Sequence, residues 1–354
     1  MGDIDKLKLS TDSQCDTAVG LDCGLRSRSP VFIVGGPRSG NNFLYHALLS
    51  SGGFVVYRAA PQVYNTLAPK FGDLSVYRNR QKMLKAWLAS PYFERTGLDA
   101  QFLKPRILDD CRSGGDFLRM VMGEMGRRQN ARRWASLSVE ELLYMPQIKR
   151  EIPDALFVHT VRDGRDVSLS LGKKGYVPRL PWDRGKDWWS AAFYWDWIVN
   201  KCRTFGQAMP SDYFEIHYEE LVGNPPEALQ KIGAFIDHDL DYERIQKAAV
   251  GTVSDPNTSF GAEEATAEFN PVGRWKKGYS SQELAQLESV IGPRLRDFGY
   301  TLESAAHPSA RWSHLKKLQY DCYFESRFFI KSKTPLGRLL VNADSLHSME
   351  AFVR

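Results

Sequence analysis

An arginine lies inside a glycine-rich bend near the start of the chain, in the stretch VFIVGGPRSGNNFLYHALL (31–49). The glycines at 35 and 40 have the spacing of a phosphate-binding loop, whose backbone N–H groups and following helix N-terminus hold an anion. A magnesium-dependent nucleotide hydrolase needs a lysine and then a serine or threonine directly after the second glycine. This chain has two asparagines there. The bend therefore predicts a phosphate site with Arg38 as its cation, the alternative being a tight turn with a surface arginine.

A second arginine follows a later apolar run, in FVHTVRDGRDVSLSLGKKG (157–175). Arg162 ends the run, Asp163 begins the turn, and Ser170 lies eight positions after the arginine, about two turns into the helix that follows. We expect the guanidinium and the hydroxyl to close on one anion. The alternative is a solvated cluster in which the two arginines of this stretch pair with its two aspartates.

Three short apolar runs predict the strands that position these bends: VFIVG (31–35), DALFVHTV (154–161) and YFEIHY (213–218). A helical pattern follows each run, which predicts an α/β fold with a central, mostly parallel sheet flanked by helices, a P-loop-like three-layer sandwich. The carboxyl ends of such strands share the edge where ligands bind. Arg38 and Arg162 are therefore expected at one edge, where they suit a ligand with two separated phosphates.

The chain divides into three predicted parts. Residues 1–29 lack periodicity and predict a flexible lead-in, residues 30–303 hold the strand and helix patterns, and residues 304–354 form a basic, aromatic C-terminal extension. Residues 307–354 contain eight Lys or Arg against four Asp or Glu, which accounts for +4 of the net charge of +5. We expect the extension to dock on its own domain rather than to form a membrane-surface or oligomer helix.

Composition excludes several classes of function. The modest net charge gives little support for a nucleic-acid partner, and five widely spaced cysteines without a CxxC pair predict reduced thiols and no metal site. Residues 1–29 hold no apolar run, and no later stretch of about 18 apolar residues occurs. We therefore expect neither a secretory signal nor a transmembrane segment. We expect a cytoplasmic location.

Residues 75–150 are predicted mostly helical, and the tryptophan-rich helix at 188–202 is predicted to pack in the core.

Together these motifs resemble the sulfotransferases that use 3′-phosphoadenosine 5′-phosphosulfate (PAPS). The family's 5′-phosphosulfate loop, Pro-[Lys/Arg]-Ser-Gly-Thr-Thr-[Trp/Leu/Phe], is similar to residues 37–43, and its 3′-phosphate element, an arginine with a serine eight positions on, matches Arg162 and Ser170. YEELVGNPPEALQKIGAFI (218–236) and VGRWKK (272–277) resemble two further family elements. The resemblance runs from about residue 31 to 302 and implies PAPS as co-substrate without a metal ion.

The resemblance assigns roles to individual residues. Arg38 takes the place of the basic residue that stabilises charge on the leaving 5′-phosphate, and Phe43 and Tyr218 take the places of aromatic residues beside the adenine. Thr258 and Phe260 resemble an adenine-side threonine and phenylalanine of cytosolic members. The implied donor site consists of Arg38, Ser39, Gly40, Asn41, Asn42, Phe43, Arg162, Ser170, Tyr218, Thr258, Phe260, Gly273, Arg274 and Trp275. Asparagine amides in place of the family's threonine pair can still donate to phosphate.

The chain departs from the family at the general base that a hydroxyl acceptor needs. Cytosolic members carry a histidine some two dozen residues before the strand-end arginine, but residues 132–144 contain none. Members that act on protein tyrosines or polysaccharides place a glutamate after the first helix, where this chain offers Ala60 and Gln62. Glu140 is the predicted base, and the neighbouring Glu141 is the alternative.

Two functions of different class follow from the sequence. The leading prediction is a sulfotransferase that moves a sulfuryl group by in-line transfer to a hydroxyl or amine of a small molecule or glycan. The competing prediction is a fold that has lost its base and serves as a nucleotide-binding or scaffolding protein, with residues 307–354 as its contact element. His46 and His159 are bases by residue type, but their positions are more typical of structural histidines. The acceptor and the oligomeric state stay open.

Overall fold

A four-stranded parallel sheet forms the centre of the protein. The computed structural model describes residues 26–251, 270–304 and 310–341, except residues 176, 178, 184 and 186. Within this part of the chain the strand order is β2-β1-β3-β4. The strands are β1 (Val31–Val34), β2 (Ala135–Leu137), β3 (Leu156–Val161) and β4 (Tyr213–His217). Because β1 pairs with β2 on one side and with β3 on the other, the strand order reverses between β1 and β3. Open α/β sheets bind ligands at such a switch point.

Helices connect the strands and cover both faces of the sheet. A π-helical turn spans Val63–Leu67, and a 3-10 helix spans Val139–Tyr144. In chain order the helices are α1 (Asn41–Ser50), α2 (Ala68–Phe71), α3 (Tyr77–Leu88), α4 (Pro91–Glu94), α5 (Ala100–Asp110), α6 (Gly114–Gln129), α7 (Met145–Glu151), α8 (Gly164–Lys174), α9 (Asp187–Gln207), α10 (Tyr218–Gly223), α11 (Pro225–Ile236), α12 (Tyr242–Ala248), α13 (Trp275–Gly278), α14 (Ser281–Asp297), α15 (Ala310–Lys333) and α16 (Gly337–Leu340).

The core has two layers because successive side chains of a strand point to opposite faces. Val31 and Ile33 of β1 belong to an apolar cluster with residues of α1 and α11. Phe32 and Val34 belong to the opposite cluster, which includes the tryptophans of α9 and residues of α14. The predicted three-layer α/β sandwich is therefore confirmed. The predicted core packing of the 188–202 helix also agrees with the structure, since its tryptophans lie in this second cluster.

The three predicted strands are present as β1, β3 and β4, but β2 lies in a region predicted as mostly helical. β2 has only three residues and is followed directly by the 3-10 helix. Its residues Ala135 and Leu137 pair with Val31 and Ile33 of β1. A tertiary contact with β1 thus makes a strand of a segment too short to show a strand pattern.

The C-terminal segment packs on the domain rather than extending from it. Tyr320 of α15 is fully buried, accepts a hydrogen bond from the backbone N–H of Leu180 at 3.2 Å and donates to Asp183 at 2.9 Å. Lys331, near the end of α15, forms an ion pair with Glu140 of the 3-10 helix. The segment therefore joins the α8–α9 loop to the region after β2. Among the described residues, none of the helices combines the length and hydropathy that crossing a bilayer requires.

Candidate functional site

The glycine-rich bend carries the chain from the carboxyl end of β1 into α1. Gly40 caps α1 with φ +87°, in the left-handed region, and a Cβ atom there would lie 2.5 Å from the ring of Tyr218. Arg38 also has a left-handed backbone, with φ 68°. That conformation costs a residue with a side chain about 1–2 kcal/mol. Strain of this kind collects at ligand-binding bends, where the surrounding structure holds it in place.

The two predicted anion sites meet in the structure. Arg38 donates from Nε to the hydroxyl of Ser170 at 3.0 Å, and Arg162 donates from Nη1 to the backbone carbonyl of Arg38 at 2.8 Å. They meet because β1 and β3, which they follow, are hydrogen-bonded neighbours. Ser170 contacts the first arginine here, whereas its spacing from Arg162 predicted that those two would close together. The bends form one continuous site at the switch point.

Arg162 lies buried between three separate parts of the chain. Besides its bond to the bend, it donates from Nη2 to the carbonyl of Pro271. Its guanidinium carbon lies 4.4 Å from the ring centre of Tyr218, which gives a cation–π contact. The alternative of a solvated cluster that pairs Arg162 with aspartates is therefore wrong, since its hydrogen-bond partners are backbone carbonyls and the side chain is buried.

Two buried polar atoms at this site have no hydrogen-bond partner in the structure: Nε of Arg162 and the hydroxyl oxygen of Ser39. Ser39 is fully buried in the bend, and Arg162 is almost so. Leaving a buried donor unpaired costs about 1–3 kcal/mol, and more for a charged group. Oxygen atoms of an anion would satisfy both donors. The residues present therefore fit a phosphate-bearing ligand.

The predicted Gly-x-Trp element is held against α8 by one carboxylate. Asp166 accepts hydrogen bonds from the backbone N–H groups of Gly273 at 2.8 Å and Trp275 at 2.9 Å. Arg274 lies between them and is half-buried. The preceding Pro271 accepts from Arg162, so this segment closes the site on the side opposite the glycine-rich bend. Asp166 lies in the first turn of α8 and therefore ties that helix to the backbone of Gly273 and Trp275.

Arg165 is committed to a buried ion-pair network. Its guanidinium donates to Asp163 at 2.7 Å and to Glu288 of α14 at 2.6 Å, and it lies 3.7 Å from the ring centre of Trp275. Asp163 also caps α8 by accepting from the N–H of Arg165. The predicted pairing of this arginine with Asp163 is therefore correct, although the pair is buried rather than solvated. Arg165 stabilises the scaffold behind Arg162.

Asn41 braces the bend from inside. Its side-chain amide donates to the carbonyls of Gly35 at 3.2 Å and Gly36 at 3.1 Å, and its side-chain oxygen accepts from Thr160 of β3. Both donors of the amide are thus directed at the protein. The sequence predicted that this amide would donate to phosphate, but in the structure the side chain shapes the loop. Asn42, the next residue, is half-buried at the start of α1.

The remaining predicted adenine-side residues are divided between the core and the undescribed segment. Phe43 is buried in the apolar cluster under α1, where it packs with residues of β1 and α11. Tyr218 begins α10 and contacts both Gly40 and Arg162. Thr258 and Phe260 lie outside the described residues. Of the two residues of this group that the structure describes, Tyr218 contacts the arginine bends and Phe43 lies in the core.

The two glutamates predicted as bases have different surroundings. Glu140 is partly exposed and pairs with Lys331. Glu141 is fully buried, and the hydroxyl of Ser136 donates to its two carboxylate oxygens at 3.0 and 2.9 Å. Burial raises the pKa of Glu141 to about 8, and the Ser136 hydrogen bond opposes that rise. The structure thus distinguishes two adjacent side chains that the sequence treated alike.

The histidines agree with structural roles. His159 is fully buried within β3, 2.6 Å from the hydroxyl of Tyr213 and 3.4 Å from the carboxylate of Glu215, and burial lowers its pKa. His46 lies on α1, and burial lowers its pKa as well. In the part of the chain that the structure describes, no three His, Cys, Asp or Glu side chains are grouped to hold a metal ion.

Comparison with known proteins gives the family context of this site. A model of the sulfotransferase family matches residues 30–242, more than half of the chain. Two nematode proteins whose assignment as protein-tyrosine sulfotransferases is itself provisional are each 26% identical: one from Caenorhabditis briggsae over 167 residues and one from Caenorhabditis elegans over 162. The matches cover 46% and 45% of this chain and 59% and 61% of those proteins. The chain thus spans about three-fifths of the relatives it matches.

The fold is also found in a solved structure. The sulfotransferase domain from the curacin biosynthetic pathway superposes with a TM-score of 0.50 at 16% identity, and the match covers 84% of this chain and 97% of that domain. At this identity the likeness concerns the fold. It agrees with the parallel sheet and flanking helices described above.

Proposed function

Because this chain belongs to the sulfotransferase family, we propose that it transfers a sulfuryl group from PAPS to a hydroxyl or amine of a small molecule or glycan. The observation that carries the proposal is the direct contact of the two arginine bends at the switch point of the sheet, through Arg38 and Ser170 and through Arg162 and the Arg38 carbonyl. A ligand with two phosphate groups would contact both Arg38 and Arg162 there, and would satisfy the two donors that lack a partner, Nε of Arg162 and the hydroxyl of Ser39.

The donor would be held by backbone and side chains of three segments. The bend and the start of α1 offer N–H groups that no helical carbonyl can satisfy. Ser39 and Arg162 add their buried donors, and the segment at Pro271–Trp275 closes the other side. Tyr218 offers an aromatic surface beside Arg162. This set binds phosphate by charge-assisted hydrogen bonds and needs no metal ligand among its residues.

PAPS supplies the activated sulfuryl group; in the transfer, a bond forms between sulfur and the acceptor oxygen or nitrogen while the bond to the 5′-phosphate oxygen breaks. Arg38 stabilises the negative charge that grows on the leaving phosphate, and Ser170 holds the guanidinium in position. The acceptor proton passes to a carboxylate. Glu140 and Glu141 are the two groups proposed for this step, and glutamine variants of each decide between them.

The proposal includes the cytoplasmic location expected from the sequence. The three cysteines in the described part of the chain, Cys111, Cys202 and Cys322, carry free thiols, as is usual in a reducing compartment. Since the curated relatives carry the description of protein-tyrosine sulfotransferases, a tyrosine hydroxyl belongs among the acceptors to be tried.

A second candidate function is nucleotide binding without transfer. Two observations favour it. Glu140, the predicted base, is engaged by Lys331, and the family's usual base residues are absent from the matching stretches. Under this function the donor site binds the nucleotide and the protein acts through its partners. Both functions share the arginine site and differ only in chemistry.

Two measurements test the proposal and separate the candidates. Isothermal titration with adenosine 3′,5′-bisphosphate measures binding at the shared site, and labelled PAPS with an acceptor panel that includes a tyrosine peptide measures transfer. Arg38→Ala is expected to lower turnover about 10²–10³-fold and donor affinity by much less, because its charge matters most while the leaving oxygen forms. Arg127→Ala, an exposed arginine of α6, is the control.

The outcomes are distinct. Tight binding without label transfer to any acceptor favours the second function, and no binding contradicts both. Equal losses of turnover and affinity in Arg38→Ala would show that Arg38 only binds. If activity rises with pH toward about 8, the pKa of Glu141, and Glu141→Gln removes both the activity and that rise, then Glu141 is the base. If Glu140→Gln alone removes activity, Glu140 is the base.

A further inference from the structure

The positive charge of this protein is concentrated in its C-terminal segment. Residues 310–341, which contain α15 and α16, carry seven Lys or Arg against two Asp or Glu, a net charge of +5. The whole chain also has a net charge of +5, so the remaining residues carry equal numbers of basic and acidic side chains. A surface of opposite charge would therefore be attracted to this segment in particular.

The same segment exposes an unusual amount of apolar surface. More than half of the exposed large apolar side chains among the described residues lie here: Leu315, Leu318, Phe329, Leu336, Leu339 and Leu340. At 3.6 residues per turn, positions 315, 318, 322 and 329 fall within an arc of about 60° on α15. These side chains thus form one stripe along the helix, and Leu339 and Leu340 of α16 are exposed as well.

The stripe lies on the side of α15 that does not hold the helix to the domain. The inner side carries Tyr320, which contacts Asp183, and Phe324, which packs against Tyr194 and Trp197. The outward leucines and phenylalanine take no part in that packing and remain accessible. Contiguous exposed apolar surface of this kind marks an interaction site.

Two exposed cations lie at the C-terminal end of the stripe: Lys333, which falls on the same arc of α15, and Arg338 of α16. The other three lysines of α15 form ion pairs with acids: Lys316 with Asp183, Lys317 with Asp196 and Lys331 with Glu140. The two acidic residues of the segment are each paired with a lysine: Asp321 with Lys317 at 2.7 Å, and Glu325 with Lys201 at 2.6 Å. The accessible face therefore combines leucine and phenylalanine with arginine and lysine, and its acids are neutralised by ion pairs.

We propose that the outward face of residues 315–340 docks on a lipid bilayer that contains anionic phospholipids. Leucine and phenylalanine with flanking Lys or Arg is the composition of helices that lie in the membrane interface. From position 315 to 329 the stripe extends about 21 Å along α15, so it is long and narrow and suits a plane. A second copy of this chain is the poorer occupant, because it would bring together two faces that each expose Lys333 and Arg338.

Vesicle co-sedimentation of the full chain tests this docking. The protein is expected to sediment with phosphatidylcholine vesicles that contain about 30% phosphatidylserine and to remain in solution with phosphatidylcholine alone. Raising salt from 0.1 to 0.5 M is expected to release it, since the charge attraction is screened. The variant Phe329→Glu/Leu339→Glu is expected to bind at least tenfold more weakly, and Lys333→Glu/Arg338→Glu is expected to lose the dependence on phosphatidylserine.

The matched control is Phe102→Glu, at a phenylalanine of α5 that is 73% exposed, and it is expected to bind vesicles like the unchanged protein. Should the double variant fail to fold, Leu339→Glu alone is used, because Leu339 is 81% exposed. The affinity of Leu339→Glu for adenosine 3′,5′-bisphosphate is expected to equal that of the unchanged protein. That readout keeps a failure of docking distinct from a failure of the proposed function.

Three results would overturn the proposal: no binding of the unchanged protein to phosphatidylserine vesicles, equal loss of binding in Phe102→Glu and Leu339→Glu, or binding that is indifferent to salt and lipid charge. Light scattering gives the fourth. A dimer that Phe329→Glu/Leu339→Glu converts to monomer, together with no vesicle binding, would show that this face joins two copies of the chain.

Discussion

Replacing Glu141 by glutamine is expected to change how the stability of this protein depends on pH. The carboxyl group is fully buried and hydrogen-bonded to Ser136, and burial raises its pKa from 4.5 to about 8. Glutamine has almost the same shape and still accepts a hydrogen bond from Ser136, but it does not ionise. The variant thus removes one titration and little else.

The direction in which the free energy of unfolding changes with pH follows from proton linkage. Between pH 4.5 and about pH 8 the unfolded chain releases the Glu141 proton while the folded protein keeps it. The unfolded state then binds fewer protons, so the free energy of unfolding falls as pH rises. The contribution is fully present below pH 4.5 and lost by about pH 8. At about 1.4 kcal/mol for each unit of pKa difference, the loss is of order 5 kcal/mol.

Urea denaturation at pH 5, 6.5 and 8 measures this effect. The stability of Glu141→Gln relative to the unchanged protein is expected to rise by about 3–4 kcal/mol from pH 5 to pH 8. Glu140→Gln removes an ion pair at a partly exposed position and is expected to alter stability by less than about 1 kcal/mol. Its pH dependence is expected to parallel that of the unchanged protein. A constant difference between Glu141→Gln and the unchanged protein at all three pH values would refute the reasoning.

Three further changes test the arginine site. Gly40→Ala is expected to cost about 2–4 kcal/mol of stability, whereas the control Gly52→Ala costs about 1 kcal/mol: both have left-handed φ, but only Gly40 has the Tyr218 ring where the new Cβ would lie. Equal costs in urea denaturation would contradict that contact. Arg162→Lys is expected to weaken adenosine 3′,5′-bisphosphate binding at least tenfold in calorimetry. The charge is retained, but a lysine ammonium cannot reproduce the planar set of N–H donors that a guanidinium directs at its partners. Asp166→Asn is expected to destabilise the protein by about 1–3 kcal/mol, because asparagine has one acceptor oxygen where the two carboxylate oxygens accept from Gly273 and Trp275. An unchanged melting temperature would contradict the role of Asp166 in holding that segment.

Most of the sheet could be predicted from the sequence because of where its strands lie. β1, β3 and β4 are apolar runs, and a strand of a parallel sheet with helices over its faces keeps that pattern along its whole length. β2 has no such run: Ala135, Ser136 and Leu137 include a small and a polar residue, and the segment is a strand because β1 pairs with it. No local pattern of three residues could indicate that pairing.

For the site, position could be predicted but partners could not. Arg38 and Arg162 were expected at one edge because parallel strands end together, and the pairing of β1 with β3 brings them into contact. The contact of Ser170 with Arg38 rather than Arg162 depends on side-chain directions that spacing does not define. The same holds for Glu140 and Glu141, since only the turn of the 3-10 helix decides which one faces the core.

The contacts of Arg162 with three parts of the chain couple the stabilities of those parts. One side chain donates both to the carbonyl of Arg38 and to the carbonyl of Pro271, so it fastens two chain segments that are far apart in sequence. Displacing either segment disturbs the guanidinium and, through it, the other segment. Substitutions in the two segments are therefore expected to be non-additive in a double-mutant cycle. The glycine-rich bend and the segment at Pro271 therefore form a single cooperative unit.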